Sequence, residues 1–202
     1  MVPPRTVGVS GGHDPWHSGG VTEPAGPLWT VGHGTVDGEG LAALLVTAGV
    51  AAVVDVRRYP GSRRDPTVAR EALAVTLPAH GLAYRWDEWL GGRRTAPPGS
   101  PDVALRHPSF AGYAAHMRTP AFTAAVDALL AATVPTTVLC SESVWWRCHR
   151  RLIADHVVLV RGVPVTHLMH DGRHHAHRTT DGVRLAGGEL VYDAGQEPLP
   201  GT

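Results

Sequence analysis

Two cysteines and a histidine lie within ten positions of each other, in Cys140-Ser141-Glu142 and Cys148-His149-Arg150. A thiol reacts as its thiolate, and that form is favoured at a helix N-terminus and beside cationic side chains. His149 titrates near neutrality and, with Glu142, suits proton transfer. Arg147 and Arg151 are four apart, so on one helix they share a face that can grip a carboxylate or phosphate. Cys140, Cys148 and His149 are also candidate ligands for iron or zinc, although no paired Cys-x-x-Cys accompanies them. A cysteine-phosphatase loop is absent, because Trp146 stands where its arginine is required.

Those residues need a scaffold, and the chain reads as alternating strands and helices. Apolar runs at 28–32, 50–56, 82–86, 136–140 and 164–169 have strand length, and the most continuous of them suit a sheet buried on both faces. Asp37 caps a helix ended by Gly49, and a second helix spans about 67–80 before Gly81. Ser109 is read as the cap of a third, Thr119-Pro120 opens a fourth, and a fifth runs from about Trp146 to Arg161. The pattern predicts one α/β domain of three layers over residues 28–193, with a mainly parallel sheet of about five strands and helices on both faces. Residues 1–27, with six Gly and five Pro, read as a disordered arm, and residues 194–202 as a flexible tail. The His-rich stretch carrying His167, His170, His174, His175 and His177 is weakly patterned, and exposed stretches of this kind usually hold no site.

Ligands of such sheets bind at the carboxyl ends of the strands. His33 ends the first strand; Asp55 and Arg57 end the second, with Ser62 and Arg63 beyond; Arg93 follows the third; Cys140 ends the fourth. Nine of the 18 arginines fall in these strand-end loops, so the site is expected there. Cys140, Glu142, Cys148, His149 and Asp55 are the candidate catalytic groups. His33, Arg57, Ser62, Arg63, Arg93, Arg147 and Arg150 are the candidate ligand-binding groups. Trp86, Trp89, Trp145 and Trp146 fall near the expected cleft, where they could stack on a planar ligand, although aromatic lids and core packing are the commoner roles of such residues.

Composition sets bounds. All 18 basic residues are arginine, so this chain has no lysine to anchor pyridoxal phosphate. The formal net charge is zero, which disfavours a general attraction to nucleic acid, although the arginine loops keep a binding module as an alternative. No apolar run reaches membrane-spanning length, and no signal-peptide pattern opens the chain. With only two cysteines, a cytoplasmic protein with reduced thiols is expected.

In order, Thr30-Val31-Gly32-His33, Asp55-Val56-Arg57, Pro60, Ser62-Arg63, Leu90-Gly91-Gly92-Arg93, Phe110, Tyr113, Cys140-Ser141-Glu142, Cys148-His149-Arg150, His167, Asp171-Gly172 and His177 resemble the family catalogued as domain of unknown function 488. The resemblance runs from about residue 28 to 193 and implies a compact α/β fold. It further implies a polar site built from these residues, and roles in processing nucleic acids or nucleotides have been suggested for the family. This chain departs from the pattern at Ser141, where members usually carry Ala, and in the Pro-rich insertion at 97–101. Taken together, an enzyme acting on an anionic or heteroaromatic, nucleotide-like small molecule is expected, with an iron or zinc enzyme as the alternative.

Overall fold

The computed structural model describes residues 15–16 and 26–195. Most of the expected arm at 1–27, and residues 196–202 of the expected tail, lie outside the described residues. Trp16 is packed against the core beneath Arg85, whose guanidinium carbon is 4.9 Å from the ring centroid.

Five parallel strands form the sheet: β1 (Leu28–Gly32), β2 (Ala52–Asp55), β3 (Ala83–Trp86), β4 (Thr136–Cys140) and β5 (Val165–Leu168). A sixth, β6 (His174–Ala176), pairs antiparallel with β5, giving the order β3-β2-β4-β1-β5-β6. The expected mainly parallel α/β domain is therefore present. The sheet divides the core, because successive residues of a strand point to opposite faces. Val31, Val53 and Leu139 pack with α1 (Gly38–Thr47) and α2 (Arg70–Ala79). Val54 and Val138 pack instead with α3 (Pro108–Met117), α4 (Pro120–Leu130) and α5 (Arg150–Leu159).

Helix ends follow local chemistry. Asp37 accepts from the Gly40 N–H at 2.8 Å, and Gly49 at φ +75° closes the turn after α1. Thr119 caps α4 as expected, accepting from the Phe122 N–H at 3.3 Å. Two expectations are corrected. The cap of α3 is His107, whose Nδ1 accepts from the Ser109 N–H at 3.2 Å, so Pro108 takes the first helical position and Ser109 lies inside. The fifth helix starts at Arg150 rather than Trp146, because Cys148 has extended backbone after a 3-10 turn at Trp145–Arg147. Arg147 and Arg151 consequently share no helix face.

The C-terminal stretch is more ordered than its pattern suggests. Gly187-Gly188, both at positive φ, joins β7 (Val183–Ala186) to β8 (Glu189–Tyr192) in a hairpin apart from the main sheet. Asp155 of α5, fully buried, holds this region down. It accepts from His177 Nε2 at 2.9 Å, the Thr180 N–H at 2.9 Å and the Tyr192 hydroxyl at 3.0 Å. The chain of contacts continues from His177 Nδ1 to His167 Nε2 at 2.9 Å and from His167 Nδ1 to Thr30 Oγ1 at 2.6 Å. Burial pushes the His167 pKa down to about 3, so this imidazole is neutral and joins as donor and acceptor. Two of the tail histidines are thus structural. No described helix is long and apolar enough to cross a membrane.

Removing the buried carboxylate would orphan three donors at once. Asp155→Ala is expected to lower stability by about 3 kcal/mol in urea unfolding. Leu185→Ala, on the exposed face of the hairpin, is expected to change it by less than about 0.5 kcal/mol.

Candidate active site

Cys140 is the last residue of β4, and β4 lies between β2 and β1, with Gly32 opposite Cys140 in the register. The helices after β1 and β2 pack on one face of the sheet and α5 after β4 on the other. The chain therefore parts at the tip of β4, where a crevice opens in sheets of this kind.

One buried cation shapes the loop that follows. The Arg150 guanidinium, 1% exposed, donates to the Glu142 carbonyl at 2.5 Å and the Ser143 carbonyl at 2.9 Å. It fits because residue 32 is glycine: a methyl there would lie 1.8 Å from the Glu142 oxygen and 2.3 Å from the guanidinium. Residues 141–149 thus fold back, and Cys148 and His149 arrive under the strand tip. His149 Nδ1 lies 3.7 Å from Cys140 Sγ and 3.8 Å from Cys148 Sγ. Behind the imidazole stand the Tyr113 ring, at 5.0 Å between centroids, and Gly92, where a methyl would come within 2.8 Å of Nδ1. The Tyr113 hydroxyl donates to the Leu90 carbonyl at 2.8 Å, which fixes the Gly91-Gly92 loop against α3.

The two thiols are both free and buried. The Cys148 S–H bonded to Cys140 holds the Cys140 thiol well below its usual range, with His149 and Arg150 adding to this against the opposing effect of burial. Burial, and then the neighbouring Cys140, push Cys148 well up.

Above the thiols opens a cavity of about 630 Å³. Cys140, Cys148 and His149 border it together with Glu142, Arg57, Arg93 and Arg147, all seven expected at the site. Arg93 has φ +56°, unusual for a residue with a side chain, and its carbonyl accepts from Arg58 at 2.9 Å.

Five expected site residues stand elsewhere. Asp55 is fully buried and does not border the cavity; its two oxygens accept from Arg57 at 2.8 and 2.5 Å, and the second also accepts from the Tyr84 hydroxyl at 2.8 Å. It is thus engaged in orienting Arg57 rather than set against a ligand. Arg150 is occupied by backbone carbonyls. His33 is 8% exposed, its Nδ1 has no hydrogen-bond partner, and burial holds its pKa down. Ser62 accepts from the Asp65 N–H at 3.1 Å, and Arg63 is exposed outside the cavity. Arg58, Tyr59, His107 and Phe110 complete the walls. Phe110 belongs to the family pattern, and the signal for His107 is the His107-Pro108 pair, a cap followed by proline.

These features define an α/β protein with a thiol–imidazole cluster at the carboxyl edge of a parallel sheet. The chain belongs to the family described as domain of unknown function DUF488, whose model matches residues 39–157. Comparison with curated proteins found no match, and comparison with solved structures found none.

If Arg150 braces the loop, Arg150→Met should lower stability by about 2–3 kcal/mol in urea unfolding, because two half-buried carbonyls lose a charged donor. Arg147→Met, at an exposed position, should change it by less than about 0.5 kcal/mol. Equal effects would contradict the brace.

Proposed function

We propose that this protein is a cytoplasmic thiol enzyme acting on an anionic or heteroaromatic small molecule of nucleotide-like character. The observation that supports the reading is the meeting of two thiols and an imidazole beneath a cavity bordered by Arg57, Arg58, Arg93 and Arg147. In this scheme the Cys140 thiolate forms a bond to an electrophilic centre of the substrate, and the leaving group departs with its electron pair. Cys148 keeps its proton and stabilises the thiolate through its S–H. His149 or Glu142 supplies a proton to the leaving group, and the arginines bind negative charge.

A second reading makes Cys140, Cys148 and His149 ligands of iron or zinc. Their donor atoms lie within 4.8 Å of one another, the one such group among the described residues. Metal-bound histidines usually donate their other ring nitrogen to a partner, whereas His149 Nε2 is buried with none. That orphaned nitrogen favours the thiol reading.

Alkylation by iodoacetamide, mapped by mass spectrometry across pH, tests it. Cys140 is expected to be modified first, with a midpoint below the ordinary thiol value, and to be protected by nucleotides or inorganic phosphate. Cys148→Ala removes the hydrogen bond that favours the thiolate, so the midpoint should rise, and the rate at neutral pH should fall about tenfold per unit of rise. A Cys140 midpoint at or above the ordinary value would overturn the assignment. One equivalent of tightly held metal in protein purified without chelator would favour the second reading.

A further inference from the structure

The global charge balance conceals a segregation of arginines. Away from the cavities, Arg70, Arg85, Arg118, Arg161, Arg173 and Arg184 each pair with a carboxylate, while Arg63, Arg64 and Arg94 do not among the described residues. Arg58, Arg93 and Arg147, which border the thiol cavity, form no such pair among the described residues. Nor do Arg106, Arg151 and Arg178, which border a second, larger cavity of about 1140 Å³. Against these six, Glu142 is the acid of the first cavity and Asp181 that of the second. The two cavities share His107 and Phe110 as walls, so they adjoin and form one cationic tract.

The second cavity also offers ring faces. Trp145 lies flat on His167, with 4.2 Å between centroids and 6° between planes, so its orientation is set from beneath by the buried His167–His177–Asp155 chain. Trp146 stands at 90° to it and is 48% exposed, a large apolar surface left to solvent. Arg151 lies over the Phe110 ring at 4.7 Å, at the junction of the cavities. Unpaired guanidinium groups interleaved with exposed aromatic faces suit a chain of phosphates carrying stackable bases. A free mononucleotide would leave one of the two cavities unused.

We propose that the substrate is a single-stranded polynucleotide, which stacks bases in the Trp146 groove and delivers one nucleotide over Cys140. This rests on the reading of Cys140 as the reactive group and names its substrate class. A duplex does not suit the groove, because its bases are already stacked on each other and present no free faces.

The test is fluorescence polarisation of labelled oligothymidylate and oligouridylate of about six nucleotides, within the span of one single-strand surface. Either oligonucleotide should bind at least tenfold more tightly than its mononucleotide, and the pair separates DNA from RNA as the source. Trp146→Ala should weaken binding about 5- to 150-fold, and Arg178→Ser should reduce the slope of log affinity against log salt by about 0.7. Both positions are exposed, so these variants are expected to fold. Equal affinity for mononucleotide and oligonucleotide, equal binding of a duplex or of hexaglutamate, or indifference to both substitutions would overturn the proposal. Iodoacetamide labelling of Cys140 in the unaltered protein is read alongside. A reactive Cys140 without oligonucleotide binding removes the polynucleotide alone, whereas an unreactive Cys140 removes the thiol enzyme itself.

Discussion

The buried guanidinium of Arg150 is the interaction on which the site depends. Its bonds to two consecutive loop carbonyls turn the chain back under the tip of β4, and they exist because Gly32 leaves the space. An arginine almost wholly removed from water is costly unless its donors are satisfied. Here two loop carbonyls accept from its terminal nitrogens while Nε has no partner among the described residues, and its charge sits close enough to Cys140 to favour the thiolate. One residue thus joins folding to reactivity: the contact that fixes the loop also tunes the sulfur.

Around this brace the polar residues sort by depth. Asp55 and Arg57 pair beneath the cavity, and the pair holds the Arg57 guanidinium in place rather than leaving a free base. On the opposite face of the sheet, Asp155 plays a comparable part, gathering His177, Thr180 and Tyr192 and so fastening the C-terminal hairpin to α5. Through His167 the same chain supports Trp145, which places an aromatic wall next to the thiol cavity. Six of the arginines left without carboxylate partners, Arg58, Arg93, Arg106, Arg147, Arg151 and Arg178, border the two cavities. Near-neutral total charge therefore says little about local recognition, because seven of the acidic residues are consumed in arginine pairs within the described residues.

Much of this was legible in the sequence. The five parallel strands, the caps at Asp37 and Thr119, and the edge of the sheet that bears Cys140 follow from apolar runs and helix-start chemistry. The cluster of Cys140, Cys148 and His149 was legible as residue types, but not as a contact, because it requires a loop geometry set by Gly32 and Arg150 across the sheet. Asp55, at a strand end, and Arg150, beside Cys148-His149, read as site groups since charged side chains are usually exposed; their burial depends on partners that no local pattern reveals. The Gly187-Gly188 hairpin was legible in principle, since Gly-Gly between short alternating runs is a hairpin signal. The surrounding His- and Arg-rich composition masked it.

The account stands or falls on which sulfur ionises first. Labelling both cysteines with ¹³C at Cβ and following their chemical shifts through a pH titration of the intact protein reports each site separately. The structure predicts that Cys140 titrates well below the ordinary thiol range while Cys148 remains protonated far above it. Two cysteines titrating together near the ordinary value, or Cys148 ionising first, would contradict the account.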